Sequence, residues 1–340
     1  MAVASMVTIG LFALMALLGY LVTPDHTPHC NQQYLELASM KPMSKATFVI
    51  LDDSVEHPDV GLLGTMMNGE PLDGLALPVW RCDTVDGMLE VETYTGSTPN
   101  DGEVRRYKFN EVKEVKERTF VFGTDTYGRD VLSQVMIGSR VSLSVGLIAV
   151  AIALLIGILL GALAAYYGGW VDNVIMWLIN VVWSIPTVLL VIAITFALGK
   201  GFWQVFVAVG LTMWVDVARV VRGQVLEEKE KEYVEAARAL GYRTPRIILR
   251  HILPNITGPV IVITASNFAS AILLEAGLSF LGIGVQPPMT SWGSMVKENH
   301  GQILLDSAYQ AFIPGLAIML IVLAFMLLGN AIRDALDVRR

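Results

Sequence analysis

Charged residues are scarce in this 340-residue sequence. Asp, Glu, Lys and Arg together make up 16% of it, whereas hydrophobic residues make up 54%. Soluble domains carry about 25% charged residues, so this composition excludes an ordinary soluble enzyme. No Lys or Arg precedes Lys41, and none of the five histidines falls in a long apolar stretch. The chain is therefore predicted to be a polytopic membrane protein.

Six apolar stretches are long enough to cross a bilayer, whose hydrocarbon core takes about 20 helical residues. They are residues 3–22, 142–166, 172–198, 202–221, 257–284 and 310–332. The predicted fold is an all-α polytopic membrane protein with six transmembrane helices. Pro186 lies in the third stretch, where it is expected to kink the helix. Gly157 and Gly161 in the second stretch have a Gly-x-x-x-Gly spacing, which predicts a close helix–helix contact.

The first stretch has two interpretations, a signal peptide or an uncleaved transmembrane helix. No basic residue precedes it, and its apolar run exceeds the 7–15 residues of a cleaved signal core. We therefore interpret 1–22 as a first transmembrane helix with a cytoplasmic N-terminus. Six spans then place the C-terminus in the cytoplasm as well.

The segment 23–118 is the acidic part of the chain. It contains 17 Asp/Glu and 9 Lys/Arg, so it accounts for the whole acidic excess behind the net charge of -7. A structureless loop of this length is uncommon, and short alternating or β-branched runs occur at 46–51, 89–94 and 104–109. We predict a small, β-rich extracytoplasmic insert, followed by a five-helix core at 119–340.

Both cysteines, Cys30 and Cys82, fall in this insert. An oxidising compartment would allow them to form a disulfide, and the alternative is two unrelated small side chains. His26, His29 and Cys30 are close in sequence, but no complementary cluster of ligands occurs elsewhere, so no metal site is predicted.

The segment 223–256 is a short basic loop between two spans. From Arg219 to Arg250 there are eight Lys/Arg and five Glu, and positive charge near spans is retained in the cytoplasm. Good helix formers up to Leu240 precede Gly241, which is expected to end a first helix in a left-handed cap. Thr244 and Pro245 then begin a second helix that is expected to end by Pro254. The loop is either a docking surface or merely a solvated connection.

Polar side chains recur every four residues along the fifth predicted span. Asn267, Glu275 and Ser279 share one helix face, and an ionisable group inside a bilayer usually faces a cavity or a partner. This face is either part of a translocation path or subunit interface, or a structural anchor between helices.

Before the second span, a glycine-punctuated turn carries several charges. Its residues are Gly123, Asp125, Gly128, Arg129 and Asp130. The charges are expected to pair with one another or with backbone at the outer face of the membrane, or simply to form a solvated cap on the next helix.

Several of these motifs resemble one known family. Glu235-Ala236-Ala237, Gly241 and Leu253-Pro254 resemble the EAA loop of ABC-importer permease subunits. Gly123 to Asp130, the run from Glu275 to Gly282 and Ser291-Trp-Gly293 extend the resemblance to the second membrane subunit of the dipeptide/oligopeptide permease family. The long acidic insert is not typical of that family.

The resemblance implies a type I ABC importer and names its partners: a second permease subunit, identical or paralogous, two cytoplasmic ATPases, an extracytoplasmic solute-binding protein and membrane lipid, but no nucleic acid. It implies that ATPase coupling falls to eight loop residues: Glu235, Ala236, Ala237, Leu240, Gly241, Arg246, Leu253 and Pro254. The sequence has no Gly-x-x-x-x-Gly-Lys-Ser/Thr phosphate loop. ATP and Mg are thus expected on the ATPase subunits, and no cofactor on this chain.

The expected function is import of di- or oligopeptides across the cytoplasmic (inner) membrane by alternating access. The same transporter class carrying nickel or another small solute is the alternative. A membrane enzyme would need a nucleophile or metal motif, yet His-Glu-x-x-His, Gly-x-Gly-Asp and Gly-x-Ser-x-Gly are all absent. No catalytic residue is therefore predicted. A receptor would leave the cytoplasmic loop unexplained.

Overall fold

A computed structural model describes residues 1–52, 61–71, 74–96, 98–199 and 201–337. They form two compact units. The first contains residues 1–12, 142–286 and the segment from Ile318 onward, and the second contains residues 13–141 and 287–317.

Most of the chain is helical. The helices are α1 (Ala2–Val22), α2 (Leu62–Asn68), α3 (Val131–Tyr167), α4 (Gly169–Trp183), α5 (Thr187–Leu198), α6 (Phe202–Glu228), α7 (Glu232–Ala239), α8 (Thr244–Ile247), α9 (Thr257–Phe280), α10 (Trp292–Asn299) and α11 (Tyr309–Asp337). Among the described residues, five helical segments are long and apolar enough to span a membrane, or six if α4 and α5 form one broken span. The predicted polytopic helical fold is confirmed.

The predicted span 172–198 is not a single kinked helix. α4 ends at Trp183, α5 begins at Thr187, and the two are bent by 93°. Pro186 precedes α5 with an extended backbone (φ -54°, ψ 124°). Because a proline offers no N–H and clashes with the preceding turn, here it separates two helices.

The second helix of the basic loop also differs from its prediction, since it does not end by Pro254. A π turn over Ile248–Ile252 and a 3-10 turn over Leu253–Ile256 follow α8 and lead directly into α9. In a π turn or a 3-10 turn the backbone hydrogen bonds do not run from residue i to residue i-4. The missing N–H of Pro254 therefore interrupts no regular α-helical hydrogen bond. The chain therefore stays helical through the proline.

The predicted β-rich insert is confirmed as an antiparallel sheet of the order β4-β3-β2-β1-β5. Its strands are β1 (Ser44–Leu51), β2 (Leu75–Val85), β3 (Met88–Thr93), β4 (Val104–Lys108) and β5 (Val112–Phe120). Successive residues of β1 are buried on opposite faces of the sheet. Phe48 packs with Tyr34 and Phe120, and Val49 packs with Val79. Both faces of the central strand are therefore covered.

Cys30 and Cys82 are free thiols, so the disulfide considered from the sequence is not formed in this structure. The Cys30 thiol is buried beside Tyr20 and Ile137 and donates a hydrogen bond to the Asp25 carbonyl oxygen (3.1 Å). Burial raises the pKa of the Cys30 thiol, and the nearby Asp25 carboxylate adds to this effect.

Small residues allow α3 and α6 to pack closely in the first unit. A Cβ at Gly157 would lie 2.5 Å from the Cβ of Val217, and one at Gly161 would lie 2.5 Å from the Ala218 carbonyl oxygen. The contact predicted from the Gly-x-x-x-Gly spacing is therefore present, and a larger side chain at either position would push the helices apart.

Candidate functional site

The basic loop is built as a helix that ends in a left-handed glycine. Gly241 has φ +77°, its N–H donates to the Arg238 carbonyl oxygen (2.9 Å), and the Tyr242 N–H donates to the Ala237 carbonyl oxygen (3.1 Å). These two bonds are those of a Schellman motif at the end of α7. The cap predicted from the sequence at Gly241 is confirmed.

One face of the loop packs into the first unit. Val234 and Ala237 of α7 and Ile247, Ile252 and Ile256 beyond it are all at most 3% exposed. Ala237, which the resemblance assigns to ATPase coupling, instead faces the interior, because the 3.6-residue period of α7 sets it beside Val234. Burial of these side chains anchors the loop by the hydrophobic effect.

The opposite face is exposed. Of the eight residues assigned to ATPase coupling, six are exposed, Leu253 is half-buried and Ala237 is buried; the exposed ones are Glu235, Ala236, Leu240, Gly241, Arg246 and Pro254. Leu240 is 72% exposed at the tip of the turn. An exposed leucine beside a turn that carries both charge signs is suited to contact another protein.

Aromatic stacking supports the turn. The Arg246 guanidinium lies over the Tyr242 ring (4.4 Å to its centroid), and that ring stacks on His251 (5.7 Å between centroids). The Tyr242 ring thus contacts both a cation and a second ring, which limits movement of the segment after Gly241. Arg246 therefore contributes to the shape of the turn as well as to its charge.

A second group of contacts joins the beginning of the loop to its end. The Tyr233 hydroxyl donates to the Glu228 carboxylate (2.5 Å) and accepts from the Asn255 amide (3.2 Å), and Lys231 forms an ion pair with Glu228. Burial, followed by the hydrogen bond to Glu228, raises the pKa of Tyr233 to about 12. The tyrosine therefore stays protonated and keeps donating at neutral pH.

The glycine-punctuated turn before α3 is a buried network in the second unit. Asp125 is 1% exposed; its carboxylate accepts from the Arg129 Nε (2.7 Å), from Gln134 Nε2 (2.9 Å) and from the backbone N–H groups of Tyr127 and Arg129. Arg129 also donates to Asn31 (3.0 Å) and Glu298 (2.5 Å).

The carboxylates of this network favour the charged form of Arg129. Burial alone lowers the pKa of Arg129, but the carboxylates of Asp125 and Glu298 more than offset this and raise it. Asp130 does not join the pair; it accepts from the Ser133 N–H (2.9 Å) and hydroxyl. Burial raises its pKa in spite of these bonds.

Glycine is required at two positions of this turn. Gly123 and Gly128 both have φ +74°, and a Cβ would collide with the carbonyl oxygens of Met40 and Tyr34, respectively. The motif is therefore buried and tightly packed rather than a solvated cap.

The polar face of α9 is divided between two environments. Glu275 is 0% exposed, and its carboxylate accepts from the hydroxyls of Ser279 (2.7 Å) and of Ser142 on α3 (3.3 Å). Ser279 in turn accepts from the Val285 N–H (3.3 Å). This geometry favours the alternative that Glu275 and Ser279 form an anchor between helices.

Asn267, two turns earlier on the same face, borders a cavity of about 370 Å³ in the first unit. The cavity lies among α4, α5, α6 and α9, and Trp183 is one of its lining residues. Its polar lining includes Thr187, Thr212, Asp216, Asn267 and Ser270. Its volume falls within the range of ligand pockets, about 300–1,000 Å³.

Three charged contacts could not be identified from the sequence. Arg222 of α6 pairs with Asp172 of α4 through two bonds of 2.6 Å, Arg219 lies over the Trp183 ring (3.4 Å to its centroid), and Glu298 reaches Arg129. Asp172, Arg219 and Arg222 lie at the ends of apolar stretches, and Glu298 had no signal in the sequence. Across the described ranges, no group of three His, Cys, Asp or Glu is arranged to hold a metal ion.

The family and the relatives that this chain resembles are all described as membrane components of transport systems. Residues 157–340 match the family described as the binding-protein-dependent transport system inner membrane component. The chain is 39% identical over 239 residues to the glutathione transport system permease protein GsiD of Pectobacterium atrosepticum, covering 70% of this chain and 79% of that protein. It is 43% identical over 216 residues to the dipeptide transport system permease protein DppC of Bacillus subtilis, covering 64% and 68%.

Among solved structures, a chain of the MetNI methionine ABC transporter in inward-facing crystals is similar with a TM-score of 0.48 and 18% identity. The similarity covers 60% of this chain and 95% of that one.

Proposed function

Because the chain belongs to the family of binding-protein-dependent transport system inner membrane components, we propose that it is the second membrane subunit of an ATP-driven importer of di- and oligopeptides. The observation that carries this proposal is the identity of 39–43% to permease proteins of glutathione and dipeptide transport systems. Both of those solutes are peptides. The chain is a multi-pass inner-membrane permease, and the solute is the part of the assignment that needs a test.

The partners follow from the proposed class. Two cytoplasmic ATPases bind and hydrolyse ATP with Mg, a second permease subunit completes the membrane part, and an extracytoplasmic solute-binding protein delivers the peptide. This chain itself binds neither ATP nor Mg in the proposed mechanism. Its sequence has no phosphate loop, the glycine-rich turn that cradles nucleotide phosphates.

The basic loop is the proposed mechanical link to the ATPases. Its buried face is held in the first unit by Val234, Ala237 and Ile252, while Leu240 and Gly241 stand exposed. When ATP binding closes the ATPase dimer, the loop moves with it and the packed helices follow, because a closely packed unit transmits displacement. The pore then opens outward, accepts peptide from the binding protein, and returns after hydrolysis.

For orientation, we propose cytoplasmic termini and an extracytoplasmic insert. Six spans, counting α4 and α5 as one, and a loop rich in basic residues support this arrangement. We also propose that the chain has three functional parts. They are a first transmembrane helix at 1–22, an insert at 23–118, and a permease core at 119–340 that contains the coupling loop at 223–256.

Co-purification tests the loop assignment. Leu240→Asp places a charge on the exposed tip and is expected to reduce recovery of the ATPases with the tagged chain by roughly tenfold, because burying an unpaired charge in an interface is costly. Leu304→Asp is the matched control, since Leu304 is also an exposed leucine (92%) but lies in the second unit. Equal recovery of the ATPases with both variants would contradict the assignment.

A further inference from the structure

The insert contains a short helix, α2, whose apolar face points away from the protein. Leu62, Leu63 and Met67 are between 72% and 75% exposed. With the half-buried Met66 they form one continuous arc of the helix, because residues three and four apart lie on the same face. Thr65, on the other side, is 6% exposed. A helix on a water-facing surface turns its apolar side inward, so the orientation of α2 is the reverse of the usual one.

The sequence around α2 is also unusual for the insert. Residues 61–69 contain no Asp, Glu, Lys or Arg, although the segment 23–118 is the acidic part of the chain. The buried Thr65 hydroxyl donates to the Glu70 carboxylate (2.7 Å), so the polar contacts of this region lie on the protein side. The exposed face of α2 therefore places no charge where it would have to leave water.

Arg140 of α3 joins the end of α2 to α1. Its guanidinium donates to the carbonyl oxygens of Met66 (2.6 Å) and Met67 (3.1 Å), which are among the last carbonyls of α2 and have no partner inside the helix. The same guanidinium donates to the carbonyl oxygens of Ala16 (2.5 Å) and Leu17 (2.9 Å) in α1. The Met66 and Leu17 oxygens bond one nitrogen, Nη2. The end of α2 is therefore fixed beside α1.

This junction lies below the end of a membrane span. α1 is long and apolar enough to cross a membrane, and its 21 residues are about the number that the hydrocarbon core requires. Leu17 lies about 8 Å from the last residue of α1, Val22, at 1.5 Å per residue. Helices that lie in the plane of the membrane interface bury their apolar face about 5–10 Å deep. The junction with α1 thus holds α2 at the depth of such a helix.

We propose that α2 is an interfacial helix that inserts Leu62, Leu63 and Met67 among the lipid acyl chains of the leaflet on the side of the insert. The occupant is lipid because α1, to which α2 is fixed, exposes leucines along the same part of its length, among them Leu17 (60%) and Leu21 (39%). The two helices then form one lipid-facing surface. The proposal goes beyond the transport function and does not depend on the solute.

Spin labelling of the full-length chain tests the proposal. The chain is purified with the subunits that accompany it and reconstituted in vesicles of phosphatidylethanolamine and phosphatidylglycerol. In a Cys30→Ala, Cys82→Ser background, Leu63→Cys carries a nitroxide, and its collision rates with oxygen, which concentrates in lipid, and with a water-soluble nickel chelate are compared. Asn68→Cys is the matched control, because Asn68 is exposed on the opposite side of the same helix. We expect an oxygen-to-nickel ratio roughly threefold higher at Leu63→Cys.

Two further positions define the range of the ratio. Met67→Cys, on the same face as Leu63→Cys, is expected to repeat the high ratio. Val104→Cys on β4, between the charged Glu103 and Arg105, gives the ratio of a site in water. Frequent collisions of the nickel chelate with both α2 labels would show that α2 lies in water. Rare collisions with either reagent would show that another protein covers it. Each of these two results overturns the proposal.

A second measurement reports depth. A fluorophore on Leu63→Cys is quenched by lipids that carry a nitroxide either near the headgroup or at the far end of the acyl chain. We expect the label near the headgroup to quench about twice as strongly, because an interfacial helix remains close to the boundary between headgroups and chains. Equal quenching by the two lipids, or quenching by neither, overturns the proposal.

Discussion

At the scale of single residues, two buried charged groups have partners that are distant in sequence. Arg129 reaches Glu298, 169 positions away, and Glu275 reaches Ser142, 133 positions away. The sequence showed which residues need a partner, because buried charges require one. It did not show which residue each partner is, because that depends on how the helices pack.

Replacing Arg129 is expected to destabilise the second unit strongly. Arg129→Met leaves the buried Asp125 carboxylate without its cation, and breaking one side of a buried pair costs about 3–5 kcal/mol. Thermal unfolding of the purified protein in detergent measures the loss. Lys45→Met removes an exposed pair with Glu117 in the same unit and is expected to cost about 0–1 kcal/mol. Similar losses for the two variants would contradict the buried-network interpretation.

Glu275 is expected to matter for folding rather than for transport. Glu275→Gln retains an oxygen that accepts from Ser142 or Ser279, so uptake by the assembled transporter should stay near wild type. Glu275→Leu removes both acceptor oxygens of this side chain, so the Ser142 and Ser279 hydroxyls each lose a buried hydrogen bond. Each loss costs about 1–3 kcal/mol, which lowers the yield of folded protein. Normal assembly of Glu275→Gln with lost uptake would show that the residue acts in the mechanism.

At the scale of elements, the sequence correctly predicted a feature that depends only on residues close to one another in the chain. The cap at Gly241 depends only on α7 and the residues after it, and the sequence predicted it correctly. Proline was less informative. Pro254 was expected to end a helix, but a π turn and a 3-10 turn carry the chain through it, whereas Pro186 was expected to kink a helix that is in fact broken. Whether a proline kinks a helix, breaks it or is accommodated in it depends on how the neighbouring residues pack.

The conformation of Gly241 provides a prediction about the coupling loop. A Cβ at this position meets no atom within 4 Å, so its φ of +77° is the only constraint inside the chain. Gly241→Val forces a β-branched residue into the left-handed region at a cost of about 1–2 kcal/mol, which reshapes the turn and weakens ATPase association roughly tenfold. Gly241→Asn tolerates this conformation and serves as the control. Titration of the ATPase against the purified permease complex measures both; equal affinities would indicate that the turn does not determine docking.

At the scale of the whole molecule, composition and hydropathy predicted a helical membrane protein with a small β-rich insert, and both features are present. The third and fifth strands of the insert were not equally predictable from the sequence. β3 has an alternating pattern, whereas β5 is largely charged and exposed along one edge of the sheet. The sequence therefore indicated β1, β3 and β4 but missed two strands. It missed β2, which contains Pro78, and it missed β5, an edge strand that needs only one partner.

The two units bring together residues that the sequence separates. The sheet shares its unit with the first part of α3 and with the segment 287–317, and the network of Arg129 joins these parts through Asn31 and Glu298. In the first unit, the coupling loop connects α6 with α9, and both of these helices line the polar cavity. Because the loop connects these helices, a displacement of the loop would change the cavity.

Peptide uptake tests the central claim most directly. Proteoliposomes contain this chain with its second permease and ATPases, ATP is enclosed with the ATPase side, and loaded binding protein is added to the other side. We expect uptake of labelled di- or oligopeptide that requires ATP and binding protein and that falls sharply with Gly241→Val. Uptake of a nickel complex but of no peptide, or peptide uptake that is independent of ATP, would contradict the proposed function.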